Sequence, residues 1–261
     1  MPPIYLPDLR LNAVLQGPAD APALVLIHAL GTRLALWDEV AALLPRLRIL
    51  RLDLRGHGDS DAPAAPYAMG SLIRDVERTM DHFGLKEAVV AGVSLGGMIA
   101  QGLAVKRLDL VRGLVLSNTA ARIGTAAQWQ DRIALVRDQG LGAVLAPTME
   151  RWLGRTWADN PALPRLQAMF LATDPQGWMG CAAAIAGTDF YETTATLRLP
   201  TLALAGANDG STPPDLVRET AELIPGAEFR LIRGAGHLPM AEKPAEYAAL
   251  LAGFLDRIGH G

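Results

Sequence analysis

The sequence predicts an α/β protein built on a mostly parallel sheet, and three observations carry that expectation. Short, unbroken apolar runs such as Ala23–Ile27 read as strands buried on both faces. Helical patterns recur between these runs, which is the alternation that parallel strands require. The chain has 261 residues, half of them hydrophobic, enough for one such domain with an insertion. The expected sheet has eight strands with helices on both faces.

Residues 4–6 and 10–16 are expected as the two opening strands, the second stopped by the Gly17-Pro18 turn. The third, Ala23–Ile27, feeds the loop His28-Ala29-Leu30-Gly31-Thr32, and a helix is expected from near Leu36 to before Pro45. A strand over 48–53 leads into Leu54-Arg55-Gly56-His57-Gly58-Asp59-Ser60, and Pro63 and Pro66 then bar a helix. Ser71 reads as a helix N-cap, with Leu72, Val76, Met80 and Phe83 at helical spacing and Gly84 as the stop. A strand over 87–91 enters the turn Gly92-Val93-Ser94-Leu95-Gly96, a helix over 97–104 leaves it, and Val111–Ser117 is the next strand.

From 119 to 196 the alternation stops. This stretch reads as helical, carries Trp129, Trp152, Trp157 and Trp178, and is interrupted by Pro147, Pro161, Pro164 and Pro175. It is expected to be a cap inserted between two parts of one core domain, 1–118 and 197–261. Regularity returns with a strand over 201–205, a helix over 214–223 and the strand Glu228–Ile232. The last helix opens with Pro244 and places Tyr247, Leu250, Leu251, Phe254, Leu255 and Ile258 on one face.

A net charge of −3 and a pI near 6.0 argue against nucleic acid or an anionic membrane as partner. A single cysteine, Cys181, excludes an intrachain disulfide and suits a small packing residue. The chain start lacks a secretory pattern, and no apolar run approaches the roughly 18 residues of a membrane span. The expectation is a soluble, cytoplasmic protein; its oligomeric state is not legible. No phosphate-loop lysine, G-x-G-x-x-G or metal-ligand spacing occurs, so neither cofactor nor metal is expected.

The chemistry centres on Ser94. A strand that reverses sharply into a helix strains the residue at the bend and projects its side chain from the sheet edge. A serine alcohol needs a base within hydrogen-bond reach and an acid to orient that base. His237 follows the last strand, Asp209 the strand before it, and both fall at the same edge as Ser94. His57 is a rival base, although its glycine neighbours suit a packed loop histidine. His28 is expected to set loop geometry, Asp53 to satisfy loop amides and Asp215 to occupy a helix first turn. His82 and His260 are expected in solvent. Backbone N–H groups of Leu95, after the nucleophile, and Leu30, in the loop after the third strand, are placed for a developing oxyanion.

Taken together, these segments resemble the α/β-hydrolase family along nearly the whole chain. Ala91-Gly92-Val93-Ser94-Leu95-Gly96-Gly97 is similar to its nucleophile elbow and His28-Ala29-Leu30-Gly31 to its oxyanion loop. The stretch 53–60, Gly206-Ala207-Asn208-Asp209 and Gly236-His237 follow in the family's order. More narrowly, the loop leading to Trp37-Asp38, the segment 180–185 and Ser211-Thr212-Pro213-Pro214 resemble 3-oxoadipate enol-lactonases. That resemblance implies hydrolysis of a small carboxylate-bearing lactone through an acyl-enzyme, with no cofactor. The same triad would also serve a broad carboxylesterase, a cofactor-free perhydrolase or, without catalysis, a small-molecule receptor.

One departure bears on substrate binding. The family's cap commonly continues A-I-R-D, whereas Ile185 here precedes Ala186-Gly187. Arg33, Arg122 and Arg132 are the candidate replacements for that cation. Trp129, Trp152 and Trp178 are candidates for the pocket wall.

Overall fold

The chain opens with β1 (Ile4–Tyr5) and β2 (Arg10–Leu11), paired antiparallel with each other and apart from the main sheet. The computed structural model describes residues 3–6, 8–154 and 157–261. Asn12 separates β2 from β3 (Ala13–Gln16), so the strand expected over 10–16 is split. The Asn12 side chain donates to Asp53 Oδ2 at 2.7 Å and its main-chain N–H to Ser60 Oγ at 2.9 Å, while its carbonyl accepts the Asp53 N–H at 2.9 Å. With β1 and β2 satisfying each other, the main sheet has seven strands rather than eight.

β4 (Ala23–Ile27), α1 (Asp38–Ala42), β5 (Arg48–Leu52), α2 (Met69–His82), β6 (Ala88–Val93), α3 (Leu95–Lys106) and β7 (Val111–Ser117) follow. The helix expected near Leu36 starts as a 3-10 turn, Leu34–Trp37, before α1. Ser71 is not the cap of α2. The helix begins at Met69, whose side chain is buried in the core, and Ala68 at the N-cap makes no side-chain bond. Apolar packing thus extends the helix past the residue best suited to start it.

Between β7 and β8 the chain forms α4 (Ala126–Gln139), α5 (Gly142–Leu153), α6 (Leu163–Leu171), α7 (Pro175–Ala186) and α8 (Tyr191–Ala195). The prolines divide by position. Pro164 and Pro175 lie in the first turns of α6 and α7, where a missing N–H costs nothing, while Pro147 sits inside α5 without ending it. β8 (Thr201–Gly206), α9 (Pro214–Glu222), β9 (Glu228–Ile232), α10 (Pro239–Glu242) and α11 (Pro244–Arg257) complete the order.

The main sheet runs β3-β5-β4-β6-β7-β8-β9, parallel except for β3 against β5. β4, β6 and β8 are buried along their whole length, as the unbroken apolar runs predict for strands covered on both faces. Trp37 packs on Tyr247 of α11 with ring centres 5.6 Å apart. His260 is buried rather than solvated, its Nε2 donating to Ala23 O at 2.8 Å and tying the tail to the start of β4. No helix among the described residues is long and apolar enough to cross a membrane.

Candidate active site

β6 drives straight into α3, and Ser94 at the junction has φ 56° and ψ −118°. Such a conformation costs a non-glycine residue about 1–3 kcal/mol and persists only where the surroundings over-determine it. Here both backbone groups are held: the Ser94 amide donates to Ser117 O at 3.0 Å, and Ser94 O accepts Thr119 Oγ1 at 2.6 Å. The flanking glycines are obligatory. A Cβ on Gly92 would lie 2.1 Å from Gly96 O, and one on Gly96 would lie 2.3 Å from Ile27 O.

At the next strand ends, Asp209 follows β8 and His237 follows β9. His237 Nδ1 donates to Asp209 Oδ2 at 2.8 Å, which leaves Nε2 as the basic ring atom. Asp209 is almost fully buried and saturated with donors. Oδ1 accepts the amides of Ser211 (2.7 Å) and Thr212 (3.1 Å), and Oδ2 also accepts Asn118 Nδ2 (2.8 Å) and Thr212 Oγ1 (2.7 Å). Burial pushes its carboxyl up. The facing His237 and these side-chain donors more than offset that, holding it below the usual carboxylate range.

The oxyanion-type loop is braced by two neutral imidazoles. His28 Nδ1 donates to Ala29 O at 2.8 Å while Nε2 accepts the Leu54 amide at 2.9 Å. His57 Nε2 accepts the Gly31 amide at 3.0 Å and Nδ1 donates to Arg55 O at 3.2 Å. Burial lowers His28 to about 4; burial first, then the neighbouring His28, lowers His57 to about 3. His57 is thus a packed loop residue, as its glycine neighbours suggest. Asp53 Oδ1 accepts the Leu34 amide at 2.7 Å and Oδ2 the Asp59 amide at 3.0 Å.

Ser94, His237 and Leu30 share a cavity of about 320 Å³ with Trp129, Trp152 and Trp178. That is the lower end of small-molecule sites. Two helices each present an i, i+3 pair to it: Trp129 and Arg132 from α4, and Thr148 and Arg151 from α5. Trp129 is fixed by its Nε1–H to Ile123 O at 2.7 Å, and the Arg132 guanidinium lies 4.8 Å from its ring centre. Burial lowers both arginines from the usual guanidinium range. Neither makes an ion pair among the described residues.

The other two candidate cations lie elsewhere. Arg33 is exposed and lines a separate surface groove with Arg165 and Glu39, and Arg122 faces Asp189 at 3.6 Å. Cys181 is buried, its Sγ 3.7 Å from Arg55 O. No group of three or more potential ligands among the described residues could hold a metal ion.

Two features had no strong sequence signal. Asn118 follows β7 where an acid could have stood; it instead donates to Asp209 Oδ2 and, at 3.1 Å, to Gly236 O. The last carbonyls of α5 are taken up by the loops after β8 and β9: Gly210 N–H donates to Arg151 O at 2.8 Å and His237 N–H to Trp152 O at 2.6 Å. Helix C-terminal carbonyls lack intrahelical partners, so this docking satisfies both sides. Glu242 adds a second tie, accepting Gly236 N–H at 2.8 Å and Asn160 Nδ2 at 3.0 Å.

The family described as alpha/beta hydrolase fold matches residues 22–244. The chain is 32% identical over 243 residues to 3-oxoadipate enol-lactonase 2 of Acinetobacter baylyi, covering 92% of this chain and 91% of that protein. Among solved structures it superposes on the enol-lactonase from Burkholderia xenovorans with a TM-score of 0.93 and 30% identity, over 98% of this chain and 100% of the other. A hydrolase from Pseudomonas aeruginosa gives a TM-score of 0.93 at 34% identity, over 97% of each chain.

Proposed function

The chain belongs to the α/β-hydrolase fold family, and on that premise we propose that it hydrolyses a small carboxylate-bearing lactone, 3-oxoadipate enol-lactone, to 3-oxoadipate. The observation that carries this reading is one cavity combining Ser94 and His237 with guanidinium groups that no carboxylate among the described residues neutralises. The similarity to enol-lactonases supports the same substrate.

In this reading His237 Nε2 takes the Ser94 proton as Oγ attacks the lactone carbonyl. Asp209 keeps the imidazole in the required tautomer and stabilises its charged form. The amides of Leu95 and Leu30 receive the oxyanion; those of Gly31 and Thr32 are already bonded to His57 Nε2 and Ala29 O. Collapse of the tetrahedral species breaks the acyl–oxygen bond, and the departing ring oxygen takes the proton from His237. The resulting enol becomes a ketone, which makes it a good leaving group. Water activated by His237 then releases the second carboxylate and restores Ser94.

Residues 119–196 serve as the cap over this edge of the sheet. Arg132, held against Trp129, takes the role of the family arginine that Ala186 lacks and binds the carboxylate, while Trp152 and Trp178 complete the wall. Arg33 and Arg122 take no part.

The deciding experiment compares steady-state turnover of the enol-lactone and 4-nitrophenyl acetate at one pH. The expected result is a kcat/KM on the lactone on the order of 10⁶ M⁻¹ s⁻¹ with feeble ester cleavage. Comparable, slow rates on both would overturn the lactone assignment in favour of a broad carboxylesterase.

A further inference from the structure

Resting on the reading that the substrate bears a carboxylate, we propose that Arg151 is a specificity-determining residue that, with Arg132, clamps that carboxylate between two guanidinium groups. The cavity of Ser94 and His237 contains both arginines, one from α4 and one from α5. Withdrawing two like charges from water into one cavity is unfavourable unless an anion joins them. Among the described residues no such anion belongs to the protein. Glu150, next to Arg151, is exposed and only weakly opposes the downward shift.

Arg151 is half withdrawn from water and keeps donors free on its cavity side. A guanidinium has five N–H donors, and the side-chain hydrogen bond found for Arg151 runs from Nη2 to Thr148 Oγ1 at 3.2 Å. Thr148 spends its own proton on Val144 O at 2.6 Å, so its hydroxyl is oriented as an acceptor. That contact sets the direction of Arg151 and leaves the rest of its fork for a ligand. Burial first, then the nearby Arg132, lowers Arg151 to about 10, so it stays charged at neutral pH.

The placement of Arg151 also separates it from an ordinary half-buried surface arginine. Its carbonyl accepts the Gly210 amide at 2.8 Å, one residue after Asp209. The Arg151 backbone is therefore in register with the catalytic acid. A planar guanidinium presents two parallel N–H donors to a carboxylate, a geometry that an ammonium does not reproduce. Two such forks on one carboxylate would fix the far end of the acyl chain relative to Ser94.

The test uses matched esters of a six-carbon diacid, 4-nitrophenyl hydrogen adipate and 4-nitrophenyl methyl adipate, which differ only in the far carboxylate. The readout is the ratio of their kcat/KM values in wild type, Arg132→Gln and Arg151→Gln, with melting curves and burst titration reporting folded, active enzyme. Wild type is expected to favour the anionic ester, and Arg151→Gln to reduce that ratio about 10- to 100-fold, chiefly through KM. Arg151→Lys should restore it in part. If wild type does not discriminate, the carboxylate-bearing substrate and the clamp both fall. If Arg132→Gln loses discrimination while Arg151→Gln stays within about threefold of wild type, the substrate reading stands and the role of Arg151 is overturned. Should Arg151→Gln not fold, Arg151→Lys decides: a clear loss supports the clamp and full retention overturns it.

Discussion

The main-chain oxygen of Trp152 accepts the amide of His237 at 2.6 Å, while its indole stacks on the imidazole at 24° with ring centres 6.1 Å apart. The histidine is thus positioned from two sides, by Asp209 at Nδ1 and by the end of α5 at its backbone. The approach is close enough to exclude a methyl group one residue earlier. A Cβ on Gly236 would lie 1.9 Å from Trp152 O and 2.9 Å from its carbonyl carbon. Gly236→Ala must push the histidine loop off α5. It is expected to lower kcat at least about 100-fold, since a 1 Å misplacement of a catalytic group has that effect. Turnover and a melting curve for the alanine variant check this; wild-type kcat would show that the loop adapts.

Ser94→Ala removes the proposed nucleophile from a bend whose backbone bonds do not involve its hydroxyl. The fold should survive and kcat should fall by about 10⁴-fold or more. Single-turnover assays beside circular dichroism separate the two effects.

Acid should destabilise the protein through the paired imidazoles of His28 and His57 behind the loop 28–32. Both are held neutral, His28 near 4 and His57 near 3, against about 6.5 in the unfolded chain. Below about pH 6.5 the unfolded chain therefore binds more protons, and stability falls as pH drops towards 4; above that window it is fully present. Two sites give a slope of up to about 2.7 kcal/mol per pH unit. Asp209, depressed by its partners, adds a loss that begins only below its unfolded value near 4. Urea midpoints at pH 7.5, 6 and 5 should track this fall, and His57→Gln should show about half the slope. An unchanged slope in that variant would remove His57 from the account.

Arg132→Gln should raise KM for the enol-lactone about 10- to 100-fold, with a smaller change in kcat. In the proposed reading a charge-assisted bond to a carboxylate is lost while Ser94, Asp209 and His237 are untouched. Initial rates over a substrate range resolve the two parameters. A fall in kcat with KM unchanged would instead place Arg132 in the chemical step.

The candidate triad residues could be named from the sequence because the constraints on them are local. Gly92 and Gly96 are forced by backbone contacts around 2 Å, so the elbow carries its signature in five residues. Asp209 and His237 could be paired because parallel strands deliver their C-terminal loops to one edge. Features that depend on packing between distant segments left weaker marks. Ser71 looked like a cap, but burial of Met69 settled where α2 begins. His260 looked solvated, but a carbonyl at the start of β4 was waiting for it. Arg33, Arg122, Arg132 and Arg151 are alike as letters, and only the course of α4 and α5 sorts the cavity pair from the surface pair.

The docking of α5 limits how this enzyme can be re-engineered. Exchanging its helical excursion for that of a relative is the obvious way to alter substrate range, treating the insert as a detachable module. Here the excursion supplies two acceptors to the loops bearing Asp209 and His237, and Asn160 supplies a donor to Glu242, which also holds the Gly236 amide. A chimera whose helix does not dock there would leave the buried amide of His237 unpaired and free the exposed turn at Gly210. The transplantable unit is therefore the excursion together with the turns at 209–212 and 234–242, moved as one piece.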